Sequence, residues 1–366
     1  MAKTGKRPIM VVLGTRPEIV KLAHITRLLG DDASVVHTGQ HYDPNLSDSF
    51  FEQLGMPEPD AYLEIGGMSR GRQIGNAVAA LDALFAERPP AAVVVQGDTN
   101  TVLAAAIAAN AREAPIVHVE AGLRSHDRRM PEEHNRVVTD HLADLLLSPT
   151  ETSRSNLLAE GIPDDRIVVT GNTVVEAVQE LLPEPSERQA YARSLGLEPG
   201  SFVLSTFHRP ENVDDPDTLG VILSELAALP APVLLPLHPR TVHRVESFGL
   251  GDVLNQLHVV EPIGYREFLG LGAESAFLVS DSGGVQEEVS VYKRPVLVVR
   301  RSTERPEVIG SFAERVEPGP RIGAIANQWL SDLASIHTRL AGLPSPYGDG
   351  SASRRSVDAI RRLVDG

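Results

Sequence analysis

Short apolar runs rich in β-branched residues alternate along this chain with longer stretches whose apolar positions recur every three or four residues. IMVVLG (9–14), SVVHTG (34–39), AAVVVQG (91–97), APIVHV (114–119) and ADLLLS (143–148) read as buried strands bounded by turn residues. Between them PEIVKLAHITRLLG (17–30) and TVLAAAIAANAREA (101–114) carry helical spacing. This alternation predicts a parallel sheet wrapped by helices. After RIVVTGN (166–172) the segment 181–189, LLPEPSERQ, is rich in Pro and Glu. Strand patterns then resume in FVLSTF, PVLLPL, LHVVEP, AFLVSD and PVLVV, so a second α/β domain begins. The expected division is residues 1–175 and 176–349. The final segment, 350–366, reads as a short helix too small to fold alone, which packs back on one of the domains.

Composition sharpens this picture. A chain of 366 residues is long enough for two domains, and 42% hydrophobic with 23% charged residues is globular usage. No apolar run approaches the roughly 18 residues that span a bilayer, and IMVVL is too short for a signal-peptide core, so a cytoplasmic protein is expected. The absence of cysteine removes disulfides, thiolate metal sites and a cysteine nucleophile. A net charge of -15 argues against a nucleic-acid binder, so any anionic ligand needs a local cationic pocket.

Ligands of doubly wound sheets bind beyond the carboxyl ends of the strands. The polar residues expected there are Gly14-Thr15-Arg16, Gly39-Gln40-His41, Gly97-Asp98-Thr99, Glu120, His208-Arg209, His238 and Asp281-Ser282-Gly283-Gly284. They come from both halves, which points to a site in the cleft between the domains. In GTRPEIVKL, Thr15 and Glu18 have capping-box spacing and Pro17 suits the first helical turn, which leaves Arg16, one turn from Lys21, for an anion. The Ser282-Gly283-Gly284 turn lies between a strand and a helix, where backbone N–H groups approach a phosphate; Glu288, a turn further on, suits a ribose diol. There is no GxGxxG and no GxxxxGK[ST], and no histidine pair has zinc-ligand spacing, so His208 reads as a phosphate contact.

The segment HVEAGLRSHDRRMPEEHNR (118–136) packs four carboxylates and three histidines together. Glu120 ends a strand, and Pro131 starts a helix that places Glu132 and Arg136 on one face. An i,i+4 surface pair is the ordinary explanation, worth about 0.2 to 0.5 kcal/mol. Asp98, at the end of the neighbouring strand, makes three carboxylates from three segments, a set able to supply both an acid and a base near neutral pH. Residues 126–129 between the two charged ends read as a mobile, solvated lid.

On GTRPEIVK, TGQHYD, GDTNTVLA, HVEAGLRS, MPEEHNR, SPTETSRSNL, GNTVVEA, HRPENV, SDSGGVQEE, TERPE and PYGDG, in order and nearly end to end, the chain resembles the non-hydrolysing UDP-N-acetylglucosamine 2-epimerases. The resemblance implies two Rossmann-like domains in the glycosyltransferase-B arrangement and reversible inversion at C2 of UDP-GlcNAc to UDP-ManNAc. It implies proton handling by Asp98, Glu120 and Glu132, and stabilisation of departing UDP by Arg16, Lys21, Arg136 and His208. Ser282, Gly283 and Gly284 would hold the diphosphate, Glu288 the ribose and Arg305 the sugar-phosphate end. No metal or nicotinamide is implied, UDP staying bound as leaving group and nucleophile; a homodimer is.

Two departures bear on substrate and regulation. Arg301 stands where many members have aspartate, placing a positive charge by the implied sugar pocket. Gln40 and His41 match a second, activating UDP-GlcNAc site, but Asp43 replaces the glutamine that helps form it. Three rival readings stand beside the 2-epimerase: a hydrolysing 2-epimerase, disfavoured by GDTNT and EAGLRS; a glycosyltransferase of the same architecture; and a non-catalytic nucleotide-sugar sensor.

Overall fold

The computed structural model describes residues 7–40, 51–237 and 239–366, with backbone alone at 239 and 240. The chain divides into two compact units, Met1–Ala177 with Tyr347–Gly366, and Val178–Pro346.

Among the described residues, unit 1 is built on seven parallel strands: β1 (Ile9–Leu13), β2 (Ala33–His37), β3 (Ala61–Tyr62), β4 (Ala92–Gln96), β5 (Ile116–Val119), β6 (Leu145–Ser148) and β7 (Ile167–Val169). Their order is β3-β2-β1-β4-β5-β6-β7. Strand order therefore reverses between β1 and β4, where a crevice opens beyond the strand ends. Unit 2 repeats the plan with β8 (Val203–Thr206), β9 (Val233–Pro236), β10 (His258–Val260), β11 (Phe277–Ser280), β12 (Val296–Val299) and β13 (Ala313–Val316), ordered β10-β9-β8-β11-β12-β13. Its reversal lies between β8 and β11. Covered on both faces, the central strands are continuous Val, Ile and Leu runs with no alternation, and they form the two cores.

Six helices carry or support the functional residues: α1 (Arg16–Leu29), α2 (Arg70–Glu87), α3 (Asn100–Ala111), α4 (Pro131–Leu142), α5 (Gly283–Tyr292) and α6 (Ala352–Asp365). Helix α3 is alanine-rich and packs between α2 and α4, small side chains allowing close approach on most of its circumference. Helix α4 is amphipathic in an unusual sense, because the face it buries is polar: Glu133, Asn135, Arg136, Thr139 and Asp140. Helix α6 returns to unit 1 and packs on α1. It is fixed by Ser353 N donating to Glu176 Oε1 at 2.8 Å and by Arg355 Nη1 donating to the Thr170 carbonyl at 2.9 Å.

Candidate active site

At the unit 1 reversal, the loops after β1 and β4 meet the start of α4 around a cavity of about 380 Å³, lined among others by Thr15, Gln40, Asp98, Thr99, Glu132 and Asn135. Asp98 and Glu132, from two separate elements, thus share one cavity, and Gln40 faces it too. Gln40 is held there by its Oε1, which accepts from Thr101 N (2.8 Å) and Thr101 Oγ1 (2.9 Å) in the first turn of α3. His41, Asp43 and His238 lie outside the described residues.

Each of two carboxylates in the set has its own cation. Arg136 donates to Asp98 Oδ2 from Nε (2.9 Å) and Nη2 (2.6 Å). Lys21 Nζ donates to Glu120 Oε2, which also accepts from Asn172 Nδ2 at 3.1 Å. Glu120 sits one strand over from Asp98, buried, at φ 68, a left-handed conformation that costs a side-chain-bearing residue about 1 kcal/mol or more. The conformation is held because Glu120 N and Ala121 N both donate to the Leu147 carbonyl, at 3.0 and 3.1 Å. Glu132 has no hydrogen-bond or ion-pair partner among the described residues and is half-buried at the cavity wall.

The i,i+4 Glu132–Arg136 surface pair, the ordinary explanation of that spacing, is not formed. Arg136 Nη1 instead takes Glu133 Oε2 at 2.5 Å, three residues back, because that side of α4 faces inward. Glu133 also accepts from Ser125 N (3.0 Å), Ser125 Oγ (3.0 Å) and His126 N (2.8 Å). Burial pushes its carboxyl up, but the Ser125 and His126 N–H groups and the Arg136 charge outweigh that and hold it below the usual carboxylate range. Where the sequence points to a mobile lid over 126–129, the structure therefore has a turn tied to α4. It closes further through Asp127 N to Ser125 Oγ (3.2 Å), Met130 N to the Asp127 carbonyl (3.0 Å) and the Arg128 carbonyl at 2.9 Å from His134 Nε2.

In the sequence Glu18 is legible only as a cap. Its Oε2 accepts from Gly14 N (3.1 Å) and Thr15 Oγ1 (2.7 Å), and Oε1 from Thr99 Oγ1 (3.0 Å), so one buried carboxyl ties the loops after β1 and β4 together. Burial pushes it up to about 7, against the opposing pull of those donors. Arg16 is exposed at the first helical position of α1.

In unit 2 the organiser is Asp281, fully buried at the end of β11. It accepts from His208 N (3.2 Å), Arg209 N (3.0 Å) and Asn212 Nδ2 (3.1 Å), and its Oδ1 lies 3.0 Å from His208 Nδ1. Burial raises this carboxyl, yet His208 and these donors together keep it below its ordinary value. The His208 ring is thereby oriented from one nitrogen while the residue stays exposed. Ser282 precedes α5, whose first N–H groups point off the helix start. A side chain at Gly283 would stand 3.0 Å from Glu304 Oε1 and 3.2 Å from Arg305 Nη1, so the glycine makes room for that pair. Arg305 is buried, donating to Glu287 Oε1 (2.9 Å) and Glu304 Oε1 (2.6 Å). Glu288 accepts from the Tyr265 hydroxyl at 2.9 Å, and Gly284 leaves ordinary contact distance to it. The sequence marks Asp281 as a polar strand end but not as an organiser, and it does not single out Tyr265, Glu133 or Asn135. For Asn135 and Glu133 a signal is present all the same, in the run of polar residues through 132, 133, 135, 136, 139 and 140 of one helix.

Two doubly wound parallel units, with carboxylate–cation pairs beyond the strands of one and a histidine and helix start at the reversal of the other, define an α/β protein of glycosyltransferase-B-like fold. The family model for UDP-N-acetylglucosamine 2-epimerase matches residues 27–361. The chain belongs to that family of isomerases. It is 38% identical over 362 residues to the UDP-N-acetylglucosamine 2-epimerase of Methanocaldococcus jannaschii, covering 95% of this chain and 97% of that one. It is 36% identical to a UDP-2,3-diacetamido-2,3-dideoxy-D-glucuronate 2-epimerase of Pseudomonas aeruginosa, over 97% of this chain and 99% of that one. The crystal structure of the M. jannaschii epimerase in complex with UDP-GlcNAc and UDP superposes with a TM-score of 0.86 at 36% identity, covering 98% of this chain and 100% of that one. The Neisseria meningitidis enzyme bound to UDP-GlcNAc gives 0.86 at 30% identity, over 97% and 100%. No helix among the described residues is long and apolar enough to cross a membrane.

Proposed function

We propose that this protein interconverts UDP-GlcNAc and UDP-ManNAc without releasing free sugar. The observation that supports this reading is that Asp98 and Glu132 line one cavity, beyond β4 and at the start of α4, while Glu120 ends the neighbouring β5; Asp98 and Glu120 are each held by a cation. The C2 hydrogen of the sugar has no carbonyl to acidify it, so direct deprotonation is prohibitively slow. Elimination avoids the difficulty: a carboxylate takes the C2 proton while the C1–O bond to UDP breaks, the electron pair of C2–H becoming the C1–C2 double bond of 2-acetamidoglucal. Return of a proton to C2 from the other face, with re-addition of UDP at C1, gives the epimer.

The other assigned residues serve the departing diphosphate. Lys21, Arg136, Arg16 and His208 stabilise its charge; Ser282, Gly283 and Gly284 offer backbone donors at the α5 start, Glu288 meets the ribose diol and Arg305 supports the sugar-phosphate end. No redox or metal step enters this route, because one proton and one leaving group are all that move. Gln40 and His41 serve as an activating subsite only on the strength of the family resemblance, and the proposed cytoplasmic homodimer rests on the same ground.

The test is incubation with UDP-GlcNAc in D2O followed by NMR. Deuterium at C2 of both UDP-sugars is expected. Free ManNAc and UDP as the only products would replace this reading with the hydrolysing one, and transfer or binding without exchange would end it. A second reading, a UDP-sugar bearing a C6 carboxylate, is favoured by the exposed charge of Arg301 and by the identity to the glucuronate 2-epimerase. It predicts faster C2 exchange on that diacetamido-glucuronate than on UDP-GlcNAc.

A further inference from the structure

None of the roles assigned to the site uses His118, the third residue of β5, whose side chain is fully enclosed. Its Nδ1 lies 2.6 Å from Asp140 Oδ1 on α4, and its Nε2 lies 2.8 Å from the carbonyl oxygen of Gly97, the residue before Asp98. A carbonyl oxygen can only accept, so Nε2 carries a hydrogen. Burial would raise the Asp140 carboxyl, but His118 and Arg124 hold it below its ordinary value.

Asp140 belongs to a wider ion cluster. Asp140 Oδ2 takes Arg124 Nη1 at 2.7 Å and Gly122 N at 3.2 Å, and Arg124 is bidentate to Glu160, from Nε and Nη2, both at 2.7 Å. Arg124 thus joins buried Asp140 to Glu160, whose side chain keeps 27% exposure. The cluster's output is the Gly97 carbonyl. Gly97 N donates to the Val119 carbonyl at 3.1 Å, and the next carbonyl, that of Asp98, accepts from Asn135 Nδ2 at 2.8 Å. With His118 on the Gly97 oxygen, the peptide that leads into Asp98 is fixed on both sides.

We infer that His118, held by Asp140 and donating from Nε2 to the Gly97 oxygen, is a positioning residue for Asp98, setting the peptide that aims its carboxylate into the cavity. A bare Nε2 lone pair would face the Gly97 oxygen and repel it. The positioning role rests on the reading of Asp98 as a proton-handling carboxylate; the Nε2–H bond to Gly97 does not.

The experiment has two arms. In the full chain with 15N-labelled histidine, Nε2 of His118 should resonate as protonated at neutral pH; a bare Nε2 overturns the inference. In the second arm Asp140→Asn, which keeps shape and removes the charge that holds the ring, should lower kcat for C2 exchange roughly 10- to 100-fold, the scale of a lost outer-shell partner. KM for UDP-GlcNAc should stay within about threefold. Adding His118→Gln to Asp140→Asn lets a neutral amide donate to the Gly97 oxygen and accept from Asn, and should recover most of the lost kcat. Unchanged kcat in Asp140→Asn, or a folded double variant without recovery, overturns the positioning role. If neither variant folds, the nitrogen spectrum of the wild-type chain decides. Failure of the functional reading looks different: the wild-type protein itself would then show no C2 exchange.

Discussion

Glu18, in the first turn of α1, carries a carboxyl into the interior of unit 1, between Thr15 and Thr99 of the cavity wall; the Thr15 hydroxyl donates to it and caps no backbone N–H, so the spacing of a capping box does not form one. Its folded value of about 7 against 4.5 when unfolded means the folded chain binds a proton more tightly. The stability it contributes is therefore present below about pH 4.5 and is lost as pH rises through about 7. Relative to Glu18→Gln, wild-type stability measured by urea unfolding should fall over that window by up to ~3 kcal/mol; a pH-independent difference would show that the acid does not titrate there. The three assigned carboxylates give the kinetic counterpart. Asp98→Asn, Glu120→Gln and Glu132→Gln should each cut kcat by roughly 10²- to 10⁴-fold while UDP affinity changes little. Parallel losses in kcat and UDP binding would make them binding residues instead. Spacing locates all three, yet it cannot tell which cation each meets, because Arg136 reaches its partners by a rotamer and a helix orientation that only packing decides.

Helix α4 behaves as a single device. Its outer residues are ordinary, while its buried stripe anchors the 125–130 turn through Glu133, the Asp98 loop through Asn135 and Arg136, and β5 through Asp140. Gly122, between Glu120 and this turn, donates to Asp140 Oδ2 and sits at φ 84, where a Cβ would come within 2.3 Å of the Ser153 carbonyl oxygen. Gly122→Ala should therefore destabilise unit 1 by about 2 to 5 kcal/mol, backbone strain and overpacking combined, read as a lowered Tm. A change under about 0.5 kcal/mol would show that the loop simply moves aside. The strands are legible where they are central, since burial on both faces leaves an uninterrupted apolar run. The edge strand β10 is legible as LHVVEP, but β3 and β13 are not: β3 is two residues long, and β13, AERV, pairs with one strand only and carries two charges. The 126–129 segment misleads for a related reason. Its composition is polar, which reads as mobile, but its backbone donors are taken: His126 N by buried Glu133 on α4, Asp127 N by Ser125 Oγ and Arg129 N by Asp127 Oδ1.

At the scale of the molecule, the two α/β patterns on either side of the Pro- and Glu-rich segment make the pair of units legible, and the closing helix 350–366 is too short to stand alone. What no pattern reveals is how the last segment reaches the chemistry. Asn172 N donates to the Tyr347 carbonyl at 2.8 Å, while the Asn172 side chain holds Glu120. A chain ended at Pro346 should lose α6, loosen Asn172 and unfold unit 1 at lower urea than the intact protein, with unit 2 unchanged; two identical transitions would refute that dependence.

Because unit 1 is completed by residues 347–366, unit 2 is in effect an insertion within it. Folding can therefore run against the order of synthesis. The segment that carries His208 and Ser282 can condense while the ribosome is still translating the final turns, whereas the first-made segment must wait, partly open, for the last-made one. A nascent chain stalled near residue 346 should yield a protease-resistant fragment from its second half before its first.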